Sequence, residues 1–172
     1  MTILAVGDFI MRPPVMDDLD AMVRMMEPAE MLRFLSPVAS RIADSHARIL
    51  RSVGSWQVFG YGNFTAWHRD SGILAATCGI FPTHRGLGAD FDLMPEAGWI
   101  IAHEYWGQGL ATALMTAVHD WFDATHGRQR TVAMIDDGHA ASDRVAQKLG
   151  YRCYRTGHLL GSDTLLRLYE RV

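Results

Sequence analysis

The sequence predicts a mixed α/β fold built on one sheet, and not a doubly wound one. Two observations carry this. A hairpin pattern comes early, with Arg69-Asp70-Ser71-Gly72 as the turn between an alternating segment, Asn63 to His68, and an apolar run, Ile73 to Phe81. A strand–helix–strand unit then occupies the middle of the chain, and two more strands close it. The 172 residues are 49% apolar and 20% charged, which fits one domain spanning 1–172 with its own core.

Phe9-Ile10-Met11 reads as a short strand that stops at Pro13-Pro14. Asp17 or Asp18 can cap a helix to about Met26, with Leu19, Met22, Val23 and Met26 on one face. Pro28 interrupts it, and Ala29 to Phe34 suits another helical turn. Ser40 opens a helix carrying Ile42, His46, Ile49 and Leu50, ending near Gly54. After the hairpin, Pro82 to Gly88 reads as a loop, and a strand runs from about Ala97 to Ala102. An amphipathic helix follows from about Gln108 to Ala124. Its buried stripe is Leu110, Leu114, Ala117, Val118 and Trp121, while Thr116, His119, Asp120 and Asp123 face water. Thr131 to Ile135 is a short buried strand, and Ala140 to Leu149 a helix ending at Gly150. The closing strands lie near Tyr151 to Tyr154 and Thr164 to Tyr169.

Composition excludes some partners. The net charge of −3 gives the molecule as a whole no attraction to a phosphate backbone, so nucleic acid is not expected. No apolar stretch approaches the roughly 18 residues of a membrane span, and no signal peptide is recognisable. Cys78 and Cys153 are far apart and lack metal-ligand spacing, so two reduced, mostly buried thiols and a cytoplasmic location are expected, without a bound metal.

The segment that carries chemistry is Trp106-Gly107-Gln108-Gly109-Leu110-Ala111 at the head of a helix. The first N–H groups of a helix have no intrahelical partner, and the dipole there favours negative charge. Glycines let a phosphate approach the backbone closely. A P-loop would need Gly-Lys-Ser/Thr, which is absent, and Thr112 stands where a dinucleotide fingerprint wants a small residue. On the glycines alone, a tight strand–helix turn with no ligand is equally compatible.

The segment resembles motif A of the GNAT superfamily of N-acetyltransferases, Gln/Arg-x-x-Gly-x-Gly/Ala, with Trp106, Gly109 and Ala111 on the three defined positions. The longer string Glu104 to Ala113 is similar to the RimJ/RimL-like branch, where Trp-Gly-x-Gly-x-Ala-Thr is usual. Ser142 to Tyr151 resembles that branch's Ser-x-x-Val-x-x-Lys-Leu-Gly-Phe, and Arg12-Pro13 fits its opening. The resemblance covers nearly the whole chain. It implies a mostly antiparallel central sheet with splayed central strands, flanked by helices. It also implies that acetyl-CoA is a co-substrate. Backbone N–H groups of Trp106, Gly107, Gln108, Gly109, Leu110, Ala111 and Thr112 would hold its pyrophosphate, and Ile101 and Ala102 would pair with the pantetheine arm like an added strand.

Acetyl transfer to an amine needs a base, a stabilised oxyanion and a proton for the departing thiolate. By resemblance, Glu96 at the start of the central strand is the first choice for the base, and Ser142 the proton donor. The tyrosine that many relatives use as donor is matched by Ala146, so that role is empty. The family's asparagine near the pantetheine, three residues before Ser142, is His139. Trp106 lacks the side-chain donor that Gln or Arg would supply. His103 is a second candidate base; Asp90 and Asp92 read first as loop charges, and could also make an acidic approach for a cationic amine. Trp56, Trp67, Trp99, Phe64 and the methionines Met22, Met25 and Met26 are core residues or walls of an acceptor pocket. The acceptor is a protein N-terminus or a small-molecule amine. The alternative is an acyl-CoA-binding sensor without turnover, for which His139 and Ala146 would be signs of a lapsed site. Homodimers are common in the family, and nothing in the sequence is diagnostic of one.

Overall fold

A computed structural model describes residues 2–33 and 41–172. Phe34 and Ser40, read above as a helical turn and a helix start, lie outside the described residues. The strands are β1 (Leu4–Val6), β2 (Phe9–Arg12), β3 (Asn63–His68), β4 (Leu74–Phe81), β5 (Glu96–Ile101), β6 (Thr131–Asp136), β7 (Arg152–Gly157) and β8 (Leu166–Arg171). The helices are α1 (Leu19–Met25), α2 (Arg41–Phe59), α3 (Ala89–Asp92), α4 (Leu110–His126) and α5 (Ala140–Lys148). One sheet orders the strands β1-β2-β3-β4-β5-β6-β8-β7. Every neighbouring pair is antiparallel except β5 and β6. The mixed, mostly antiparallel sheet expected from the sequence is thus present.

The strand–helix–strand unit β5–α4–β6 makes the one parallel contact. Leu114, Met115, Val118 and Phe122 of α4 are fully buried against the sheet, in one core with Phe64, Cys78, Ile80 and Tyr169. A second core joins Met22, Met25, Met26 and Met31 to Ile49 and Leu74, so the methionines are core. Among the described residues no helix is long and apolar enough to cross a membrane.

The structure corrects several local expectations. β1 and the one-turn helix α3 carry too few residues to show a period, and the sequence reading missed both. α2 continues past Gly54 to Phe59, and it packs through Ile49 and the small residues Ser45, Ser52 and Ser55. Ile42 and Leu50 are 61% and 51% exposed, so the buried face of α2 is the one with Ile49 and the serines. Ser52 and Ser55 donate to the carbonyls of Asn63 and Tyr61, so this face satisfies backbone as well as burying surface. Asp18 is no simple cap. It is buried, accepts two hydrogen bonds from Arg12 at 2.5 and 2.8 Å, and takes the Val15 N–H at 3.0 Å. That pair ties the end of β2 to the start of α1. Cys78 is buried as expected, but Cys153 is exposed.

His119 was expected to face water and is 3% exposed. Its Nε2 lies 3.3 Å from the Tyr151 hydroxyl, which in turn lies 2.7 Å from Thr131 Oγ1. Nδ1 has no hydrogen-bond partner among the described residues. Burial, with help from Arg171, pushes the His119 pKa down from 6.5 to about 4. A depressed folded-state value means that the unfolded chain takes up the proton first. Stability from this group is complete above pH 6.5 and is lost as pH falls toward 4. His119→Gln should therefore lose about 2 kcal/mol less than the wild type between pH 7 and pH 5 in urea unfolding. Equal losses would show that His119 does not carry this dependence.

Candidate functional site

The site begins where two strands part. β5 and β6 register at Glu96 and Val132 alone, where Val132 N–H donates to the Pro95 carbonyl at 2.9 Å. Beyond that point β5 stays paired to β4 along its whole length, but not to β6. Backbone groups alternate sides along a strand. Pro95 points to β6, while Ala102 N–H donates to the carbonyl of Ala75 in β4 at 2.8 Å. The N–H and C=O of Ala97, Trp99 and Ile101 therefore address the gap. A cleft of about 1200 Å³ opens there, with Trp99 and Ile101 on one side and Asp136, His139 and Ser142 on the other.

This alternation sorts the residues expected to pair with an extended ligand. Ile101 faces the cleft. Ala102 does not: it is buried, its N–H is on Ala75 and its carbonyl accepts from Tyr105. Trp99 takes its place, a position legible from the strand period once the Ala102 bond is known. The Ile101 carbonyl also accepts from the Trp106 indole at 2.7 Å. Trp106 thus has a side-chain donor after all, spent on stapling the glycine turn to the end of β5.

The turn itself runs from a short 3-10 segment, His103–Tyr105, into α4. Gln108 closes it by donating to the Glu104 carbonyl at 2.8 Å. Gly107 and Gly109 have φ of 74° and 78°, in the left-handed region that disfavours any side chain. A Cβ at either would meet nothing within 4 Å, so the space above the turn is open. The N–H groups of Leu110, Ala111 and Thr112 open α4, and its first turn has no i−4 partner for them. Gly107, Gly109, Leu110, Ala111 and Thr112 all border the cleft.

Across the cleft, α5 starts at the end of β6. His139 is its N-cap residue, and Ser142 lies in the first turn. His139 Nε2 is 3.1 Å from Ser142 Oγ. Burial holds the imidazole below its ordinary value of 6.5, against the pull of Asp136 and Asp143. Arg144 and Lys148, four apart on α5, also border the cleft and supply cations to it. Sequence reasoning gives neither of them a role. Their signal was the basic i, i+4 pair on the helix that Ser142 begins.

Glu96 is 3% exposed at the first position of β5, and it borders the cleft. Both of its oxygens accept from Arg85, at 2.8 Å each. Burial raises its pKa, and the Arg85 contact works the other way. Sequence reasoning missed Arg85, because it sits in a loop with no periodicity. Asp92 shapes that loop by accepting the N–H groups of Arg85, Gly86 and Leu87, at 2.9, 3.0 and 3.3 Å. Asp90 pairs with Arg155 at 2.9 Å. The two aspartates are thus spent on the loop and on β7, which fits their reading as loop charges over that as an acidic approach. His103 is exposed and packs against Trp106, with ring centroids 4.8 Å apart. Trp56 donates to the Asn63 carbonyl and packs on Phe64, so it is core.

A sequence model of the acetyltransferase (GNAT) domain matches residues 8–152. Among curated proteins, YkkB of Bacillus subtilis is 29% identical over 98 residues, which is 57% of this chain. That stretch is 55% of YkkB, so the chain spans about half the length of the curated relative it matches. A GnaT-family acetyltransferase from Bordetella pertussis has the same fold with a TM-score of 0.89 and 27% identity, covering 100% of both chains. RimL, a ribosomal L7/L12 alpha-N-protein acetyltransferase solved with coenzyme A, superimposes with a TM-score of 0.78 over 99% of this chain and 98% of its own. At 14% identity that likeness is one of fold. The domain match runs from β2 into the first residue of β7 and so contains both walls of the cleft: the chain belongs to the GNAT acetyltransferase family.

Proposed function

We propose that the protein transfers the acetyl group of acetyl-CoA to a primary amine by direct attack. The observation that carries this is the parted β5–β6 pair, whose cleft has an open glycine turn and a helix start at one end and a buried carboxylate at the other. The residues fit the co-substrate. Backbone N–H groups from Gly107 to Thr112 would take the pyrophosphate, and Arg144 and Lys148 add the positive charge that phosphates need. The unpaired edge at Trp99 and Ile101 would pair with the amide groups of the pantetheine arm. Acetyl-CoA supplies an activated thioester.

The residues of the chain do the rest. Glu96 removes a proton from the acceptor ammonium, directly or through water. A carboxyl whose pKa is raised by burial is better matched to that task, and Arg85 fixes its orientation. Ser142 gives a proton to the departing sulfur. The acceptor is a protein N-terminus, as RimL's name states for its own substrate, or a small-molecule amine. The test is a screen of amine classes with the purified protein, read by CoA release. No release with any amine, while acetyl-CoA still binds, would leave a sensor and not an enzyme.

Gly109→Trp should raise the acetyl-CoA KM roughly tenfold or more, since its side chain fills the open space over the turn. An unchanged KM would remove the phosphate assignment. Glu96→Gln should depress kcat most at pH values where the acceptor is protonated; a constant ratio to wild type across pH would exclude Glu96 as the base.

A further inference from the structure

We propose that His139 and Ser142 act as a two-residue relay that carries a proton from the attacking amine to the departing sulfur, His139 working through Ser142. The proposal rests on the transfer reading above. Its geometry is local. His139 stands at the N-cap position of α5, Ser142 follows in the first turn, and Nε2 and Oγ are 3.1 Å apart. Both residues border the cleft.

The chemistry explains why the pair is needed. A serine hydroxyl that gives up its proton becomes a strongly basic alkoxide, so a lone Ser142 is a poor donor. A titratable partner changes that, because each proton Oγ loses can be replaced in the same step. The amine nitrogen forms a bond to the acetyl carbon, and the C–S bond breaks with its electron pair going to sulfur. Oγ accepts the nitrogen's surplus proton as its own passes to Nε2. Then Nε2 returns a proton to Oγ as the Oγ proton passes to sulfur. Ser142 and His139 end as they began, and one proton has moved from nitrogen to sulfur. Glu96 serves the earlier proton, the one that the ammonium must lose before it can attack. The two protons of the reaction thus have separate handlers.

The relay needs a neutral imidazole at rest. Burial favours that form, and so does Arg33, at the end of the 3-10 turn Ala29–Leu32. Asp136 of β6 and Asp143 of α5 pull the other way and stabilise the imidazolium that forms transiently. A purely structural His139 would only orient the Ser142 side chain. Asparagine can do that, but it cannot take up a proton.

The experiment compares His139→Asn, Ser142→Ala and the double variant with wild type. Each single change is expected to lower kcat about a hundredfold with little effect on the acetyl-CoA KM, and the double variant should be no worse than either. A His139→Asn kcat close to wild type, or losses that multiply in the double variant, overturns the relay. A second readout needs no turnover. In protein labelled at histidine nitrogens, the His139 ring signals should titrate differently with CoA and with desulfo-CoA bound, and Ser142→Ala should erase the difference. Identical titrations also overturn it. Wild-type protein that releases no CoA with any amine overturns the transfer reading. The desulfo-CoA comparison then still decides whether the pair addresses the sulfur.

Discussion

The single-residue contact between β5 and β6 is the constraint on which the rest of the molecule depends. A sheet of eight strands would ordinarily satisfy every interior backbone group by pairing. Here the parallel pair is held at Glu96 and Val132 and released beyond them. The edge of β5 that faces β6 is left with polar backbone groups inside the protein. Such groups must be met by solvent or by a ligand with matching donors and acceptors. The opening therefore leaves an unpaired strand edge along a cleft without any loop insertion.

Keeping two central strands apart requires bracing on both sides of the opening. On one side, β4 holds β5 along its full length while α4 buries an apolar face on the sheet. On the other, β8 pairs with all six residues of β6. The closed end is locked by the Arg85–Glu96 pair, whose carboxylate is buried and doubly bonded. Removing Arg85 costs on the order of 3–5 kcal/mol at most, because the Glu96 carboxylate is left buried alone. The Asp92 turn then fixes the backbone that carries Arg85. The carboxylate spent here on structure also borders the cleft.

Much of the fold was legible because its signals are periodic or conformational. The alternation of β3, the apolar run of β4 and the stripe of α4 each repeat over several residues. The glycine turn is legible for another reason: left-handed φ at Gly107 and Gly109 is a local requirement that the residue type itself announces. Where the period is short, as in β1 and α3, it carries no signal. Where a face is polar but buried, as with Ser52, Ser55 and His119, hydrophobicity points the wrong way.

The sequence by itself determined the order of elements, the glycine-led helix start, and the places of Glu96 at a strand start and of His139 and Ser142 at a helix start. Local propensity and chain order are enough for that. Only the tertiary structure decided what those groups touch. It gave Glu96 its arginine, turned Ala102 away and Trp99 toward the cleft, spent the Trp106 indole on Ile101, and set the His139 ring beside Ser142. These are contacts between segments, or choices of side within a strand. They follow from register and packing, and no property of a single residue encodes either.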